Sequence, residues 1–241
     1  MPITPDASLD DPAFDHGAQP GICEPKETIL GPEVRRTGEM QLPNRIHILG
    51  ASGSGTTSLA SAIGGKHGHR RLDTDDFFWV PTSPPYREKR PRDQRLALLR
   101  EALLGSVPWV LSGSLCGWGD PLILEFDLVV FLVVPTPVRL ARLRAREIAR
   151  YSHQAIAAGG EFHKAHVEFL DWAGRYDTGG LEMRSRALHE AWVAALPGAV
   201  VRLEGDRSVG EQLAQIEASL GAGLLTSACS RRATPVADTG R

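Results

Sequence analysis

The residues with the clearest chemical potential lie in one short stretch, Gly50-Ala51-Ser52-Gly53-Ser54-Gly55-Thr56-Thr57. Glycine lets a backbone turn tightly and approach an anion closely. Successive N–H groups in such a turn, followed by the positive end of a helix, cradle phosphate groups. The backbone from Ser52 to Thr57 would supply these donors, with Ser58 just behind them. The Thr57 hydroxyl stands where a magnesium ligand is expected. The general pattern G-x-x-x-x-G-K-[ST] carries lysine where this chain has Thr56. The competing reading is a plain Gly/Ser turn, which a chain with 25 glycines forms easily.

A second cluster is Asp73-Thr74-Asp75-Asp76. Its carboxylates, Asp73 and Asp75 above all, could hold a metal-bound water, orient an acceptor hydroxyl or take its proton. The alternative is an N-cap for a helix over 77–80. Capping needs one aspartate, and three are present. Phe77, Phe78 and Trp79 could stack on a planar acceptor or belong to the core. The loop from Pro81 to Arg92 combines Pro81, Pro84, Pro85 and Pro91 with Arg87, Lys89, Arg90 and Arg92. Four cations on a stiff loop could clamp an anion, or simply be solvated.

Arg139, Arg142, Arg146 and Arg150 recur at spacings of three, four and four, so they share one helix face. Arg184 and Arg186 open a later helix. Arginine suits planar, multidentate contact with a migrating phosphoryl group. Ser112 occupies a strand end where an aspartate often holds magnesium through water, with Asp120 as a substitute nearby. His163 and His166 lack a third ligand and read as a solvated pair. Cys116 lies in a Gly-rich loop and has no assigned chemistry.

The elements that must position these residues alternate. Short apolar segments at 45–49, 70–72, 109–111, 127–134 and 199–203 read as strands. Helical spacing appears at 56–63, 92–104, 136–150, 181–196 and 209–220. The run at 127–134 is apolar without alternation, as in a strand buried on both faces. Strand–helix alternation predicts an α/β fold, a parallel sheet covered by helices. Ligands of such sheets sit beyond the carboxyl ends of the strands.

The chain has 241 residues, 42% hydrophobic and 23% charged, with a formal net charge of -2. That balance points away from nucleic acid and anionic membranes as partners. No apolar run approaches a membrane span, and the N-terminus has no secretory pattern. Three widely spaced cysteines, Cys23, Cys116 and Cys229, fit a reduced cytoplasmic setting. Residues 1–43 are rich in Pro, Gly and acidic residues and read as a disordered extension. Translation starting at Met40 is a hypothesis consistent with that composition. Residues 220–241 read as a flexible tail.

Together these motifs resemble the adenylate kinase and shikimate kinase group of small P-loop kinases. Gly50–Thr57 resembles their phosphate loop, in a lysine-less form. Leu72-Asp73-Thr74-Asp75-Asp76 resembles the D-x-D segment of shikimate and gluconate kinases, whose carboxylates meet magnesium-bound water and the acceptor hydroxyl. The strand 127–135 followed by Arg139–Arg146 is similar to the lid entrance of adenylate kinases, where arginines matching Arg142 and Arg146 contact phosphates. Arg184-Ser185-Arg186 is similar to the R-x-R after the lid. Leu203-Glu204-Gly205-Asp206 resembles the last strand and turn, where the adenine commonly lies.

The resemblance implies a P-loop NTPase three-layer sandwich over 44–219, with a five-stranded parallel sheet. It also implies an acceptor region at about 74–105 and a helical lid at about 146–180. ATP and Mg2+ would be the cofactors, with Thr57 and Asp73 at the metal. Asp73, Asp75, Arg142, Arg146 and Arg186 would serve catalysis.

Two functions compete. One is a kinase moving the terminal phosphoryl group of ATP to a small acceptor, working as monomer or homodimer. An alcohol acceptor favours Asp73 or Asp75, whereas a nucleoside monophosphate favours Arg87, Arg90 and Arg92. The other is a non-catalytic nucleotide-binding switch, favoured by Thr56 and Ser112. Lys66 or a lid arginine could stand in for the missing lysine.

Overall fold

The computed structural model describes residues 41–82, 86 and 88–221. Five strands, β1 (Arg45–Gly50), β2 (Arg70–Asp73), β3 (Trp109–Ser112), β4 (Leu128–Val133) and β5 (Ala199–Glu204), form one sheet. Its order is β2-β3-β1-β4-β5, and every pairing is parallel. The expected α/β architecture is thus present, with β1 at the centre.

The helices explain why β1 and β4 read as continuous apolar runs. Ile46 and Ile48 of β1 face a layer built by α1 (Thr56–His67) and α8 (Val209–Gly221), with Leu59, Ile63, Leu213 and Ile216. Leu49, Leu111 and Phe131 face the other layer, with Leu96 and Leu99 of α3 (Arg92–Leu103) and Trp192 of α7 (Arg186–Ala194). Each fully buried aliphatic side chain contributes roughly 1.5–3 kcal/mol. Both faces are therefore needed to seat the central strand.

A third, smaller cluster lies on α4 (Thr136–Tyr151). Leu143 packs with Phe169, Trp172 and Ala173 of α6 (His163–Gly174). The short α5 (His153–Ile156) precedes α6, and a 3-10 turn, Arg175–Asp177, follows it.

Several bounds differ from the sequence reading. The first helix continues past Ile63 to His67 and stops at Gly68, whose φ of 73° supports the terminal turn. The helix placed at 77–80 is α2 (Thr74–Phe78), because Asp73 caps it three residues earlier. The helix placed at 181–196 covers only 186–194. Ser185 caps it, and residues before it are spent in a turn where the Ser185 hydroxyl donates to Gly180 O. Among the described residues no helix is long and apolar enough to cross a membrane.

Candidate functional site

The phosphate loop joins the carboxyl end of β1 to the N-terminus of α1. Two of its glycines are dictated by crowding. A Cβ on Gly50 would lie 2.5 Å from Ser54 Oγ, and one on Gly53 would lie 2.7 Å from the Arg139 carbonyl. Gly53 also has a φ of 81°, where other residues are strained. Ser54 is fully buried, and its Oγ has no hydrogen-bond partner among the described residues. A buried hydroxyl without a partner is costly. A bound anion inside the loop would relieve that cost. Thr57 and Ser58 are exposed at the start of α1, and Ser52 and Thr56 are half-buried.

The strand register builds the wall beside this loop. Asp73 ends β2 directly opposite Ser112 of β3. One carboxylate oxygen of Asp73 accepts from Ser112 Oγ at 2.8 Å and from Thr57 Oγ1 at 3.1 Å. The other accepts from the Asp75 N–H at 3.1 Å and caps α2. Capping and facing Thr57 are therefore compatible, one on each oxygen. A carboxylate beside a hydroxyl is a hard-oxygen pair suited to Mg2+, which takes one or two carboxylates and leaves its other positions to water and phosphates. Among the described residues no group of three or more His, Cys, Asp or Glu side chains converges as a self-sufficient metal cage.

Asp75 and Asp76 continue this wall on its exposed side. Partial burial, then the charge of Asp73, raises the Asp76 pKa above the usual carboxylate value. The Tyr86 phenol is also pushed up, by burial first and then by the charge of Asp75. Tyr86 holds a φ of 63° and meets the Trp79 ring edge-on at 5.9 Å. Its proximity to the acidic cluster is invisible in sequence.

The three aromatics after the aspartates go to the core. Phe77 and Phe78 pack against its second layer and Trp79 is buried. The guanidinium of Arg95 lies 3.7 Å over the Phe78 ring. Arg90 binds its own loop, donating from Nη1 to Trp79 O at 2.6 Å and from its backbone N–H to Phe78 O. Arg92 is exposed at the start of α3. Arg87, Pro84 and Pro85 lie outside the described residues.

The arginine stripe divides. Arg139 is fully buried and donates to the carbonyls of Val134 and Ala173, to Thr136 Oγ1 and to Asp177. It also reaches the Ser52 carbonyl of the loop at 3.5 Å. Arg142, one turn later, places Nη1 3.4 Å from both Gly53 O and Ser54 O, and Nη2 2.7 Å from Asp206. Arg139 and Arg142 are thus the members of the stripe with hydrogen bonds to loop carbonyls. Crowding of its head group and the neighbouring Arg150 lower the Arg146 pKa, while Glu147, Asp75 and Tyr86 pull it back. The Arg146 guanidinium lies 5.9 Å from the centroid of the Phe169 ring of α6. Arg186 meets Glu190 at 3.4 Å, and Glu190 is doubly bonded to Arg202 at 2.7 Å.

Three further expectations need correction. Lys66 cannot replace the loop lysine, because it pairs with Glu217 at the far end of α1. Asp120 does not replace a strand-end aspartate, because it accepts from the Trp192 indole at 2.9 Å. His163 and His166 are not a solvated pair. They are half-buried and bond separately, to Ile156 O and to Glu147. Cys116 is buried, and burial pushes its thiol up to about 12, which leaves it inert.

No family model matches this chain. A Bacillus subtilis (strain 168) protein, described as uncharacterized protein YqaC, is 44% identical over 175 residues, which is 73% of this chain and 96% of that protein. Among solved structures, a shikimate kinase from Acinetobacter baumannii in complex with shikimate shares 18% identity. It covers 77% of this chain and 96% of its own, with a TM-score of 0.44. A gluconokinase from Sinorhizobium meliloti 1021 shares 20% identity, covering 77% of this chain and 95% of its own, with a TM-score of 0.45.

Proposed function

The chain belongs to the family of that Bacillus subtilis protein, and we propose that it is an ATP-dependent kinase acting on a hydroxyl group of a small metabolite. The observation that carries this reading is the convergence of Thr57 Oγ1 and Ser112 Oγ on one oxygen of Asp73, beside the phosphate loop. Thr57 and Asp73 would hold Mg2+. That ion, when bound, neutralises charge developing on the phosphate oxygens.

The remaining chemistry falls to the chain itself. Backbone N–H groups from Ser52 to Thr57 hold the phosphates. The acceptor hydroxyl oxygen forms a bond to the terminal phosphorus of ATP, the bridging P–O bond breaks, and ADP leaves. The hydroxyl proton passes to the Asp75 carboxylate. Arg142 and Arg146 close over the transferring group, Arg142 from the loop side. Catalysis is then largely positioning and charge stabilisation.

An alcohol is favoured over a nucleoside monophosphate because of how the cations are used. Of Arg87, Arg90 and Arg92, Arg90 is committed to its own loop and Arg92 is exposed at the start of α3, whereas carboxylates line the acceptor side. A neutral, hydroxylated acceptor meets that wall without repulsion.

A second reading, a nucleotide-binding switch without turnover, draws on Thr56 and Ser112, and since Ser112 hydrogen-bonds Asp73 its support is Thr56. One experiment separates the two. ATP labelled in its terminal phosphate is offered with a panel of sugars, hydroxy acids and nucleoside monophosphates, with Thr57→Ala as control. Label on a hydroxyl acceptor, lost in the control, is the expected result. ATP binding without transfer to any acceptor would replace the kinase with the switch.

A further inference from the structure

Beneath the site runs a buried polar chain that the proposed chemistry does not use. His189 of α7 is fully buried. Its Nε2 lies 3.1 Å from Ser114 Oγ and its Nδ1 lies 2.8 Å from Tyr176 Oη. The imidazole packs edge-on against Phe131 at 6.0 Å, which fixes its plane.

The two ends of this chain touch different halves of the site. Tyr176, in the turn after α6, lies under the Arg139 guanidinium at 4.9 Å. Arg139 in turn reaches the Ser52 carbonyl in the phosphate loop and the Ala173 carbonyl at the end of α6. Ser114, at the other end, belongs to the loop after β3. Its carbonyl accepts from the Trp118 indole at 3.1 Å. Trp118 meets Phe78 at 6.2 Å, next to the acidic segment. Gly113, one residue earlier, lies so close to Thr74 that a Cβ there would strike its hydroxyl.

A neutral imidazole has one donor and one acceptor nitrogen. The chain can therefore run in only one direction at a time. Either Tyr176 donates to Nδ1 and Nε2–H donates to Ser114, or both bonds reverse. Neither end can lose its bond without leaving a buried polar atom unpaired. We propose that His189 is a positioning residue that transmits the state of the phosphate loop and the α6 turn to the acceptor wall, through Tyr176 and Ser114. The proposal rests on the phosphate-loop reading above for its nucleotide arm only.

Two measurements test it. In the free protein, Ser114→Ala and Tyr176→Phe are combined in a double-mutant cycle on the folding equilibrium. Both side chains bond the His189 imidazole, one at each ring nitrogen, so the pair should deviate from additivity by at least about threefold. Additivity within about twofold overturns the relay. Introducing His189→Gln, whose amide keeps one donor and one acceptor, should retain part of that coupling, while His189→Leu should abolish it. Equal coupling in both would also overturn the relay.

In the second measurement, a non-hydrolysable ATP analogue with Mg2+ is added to protein labelled with 15N-tryptophan. The Trp118 indole resonance, assigned with Trp118→Phe, should move in the unaltered protein. In Tyr176→Phe the movement should fall by half or more, at an analogue affinity within about threefold. An undiminished movement refutes transmission. Failure of the analogue to bind refutes the nucleotide reading instead, and the cycle then decides the relay by itself.

Discussion

Asp73 and Arg142 approach the phosphate loop from opposite sides and are held by unlike means. Asp73 ends a strand whose register with β3 sets its height against Ser112, and three hydrogen bonds orient its carboxylate. Arg142 projects from a helix. It is tied to two loop carbonyls at 3.4 Å and to Asp206, an ion pair with half-exposed partners. Exposed pairs contribute roughly 0–1 kcal/mol. The carboxylate wall is therefore built before any ligand arrives, whereas the cationic wall can swing at little cost. Such a division would suit the proposed kinase site, with a metal on the carboxylate side and a nucleotide bound reversibly beside Arg142.

The contrast breaks most severely at the root of the cationic wall. Arg139→Ala would leave the Asp177 carboxylate only the Thr136 hydroxyl and would strip the buried Val134 and Ala173 carbonyls of their donor. Losing one partner of a buried charged network costs about 3–5 kcal/mol. Urea unfolding should show a loss of that size. A loss below about 1 kcal/mol would mean that α4 is seated by its apolar face alone.

The carboxylate wall should fail in the opposite manner, in function rather than in stability. Asp73→Asn keeps the shape and one acceptor oxygen for the α2 cap but removes the charge. Turnover (kcat/KM) should fall by about 10²-fold, and Mg2+-dependent ATP binding should weaken, on the scale typical for loss of one electrostatic contact. Unchanged Mg2+ dependence would reduce Asp73 to a cap.

The two walls also differed in how legible they were. The glycine spacing and the D-x-D segment name the carboxylate wall, because strand ends in a parallel sheet all point to one edge. The arginine stripe was legible only as a stripe. A spacing of three or four puts Arg139 and Arg142 on one face but does not say which is buried, since that depends on where α6 and the 3-10 turn return. Arg139 is fully buried, and two of its partners, Ala173 and Asp177, lie more than thirty positions away in sequence. His189 carries no local mark either. Its partners lie 75 and 13 residues away, and a lone histidine among apolar residues reads simply as core. Ser112 was read as a missing aspartate, yet it hydrogen-bonds the aspartate of the neighbouring strand. Single-strand reading misses a residue supplied across the sheet.

Acid offers a gentler way to separate the two sides. Burial, reinforced by the positive charge of Arg184, holds the His189 imidazole down to about 3, and burial holds His47 to about 4. Their folded values lie below the unfolded value near 6.5. The stability they confer is therefore complete above that pH and is lost as the pH falls toward 4 and then 3. Between pH 7 and pH 5 each should cost about 2 kcal/mol, read from urea unfolding at the two pH values. His189 bonds Tyr176, which lies under Arg139, so His189→Gln should flatten part of this slope. An equal slope in that variant would assign the acid sensitivity elsewhere.

The smallest effect bears most directly on Thr56. The Arg142 guanidinium contacts two loop carbonyls rather than entering the cradle. Arg142→Ala should weaken ATP binding by about tenfold, near 1.4 kcal/mol, the scale of one hydrogen bond to a charged group. Adding Thr56→Lys to that variant tests whether the two positions supply the same charge. If they do, lysine should recover most of the lost affinity in the Arg142→Ala background and add little where Arg142 is intact. Equal gains in both backgrounds, measured by titration with ATP and Mg2+, would show independent contributions. The cationic wall would then be an addition to the loop, and the site would work with a charge deficit that Mg2+ and the helix N-terminus must cover.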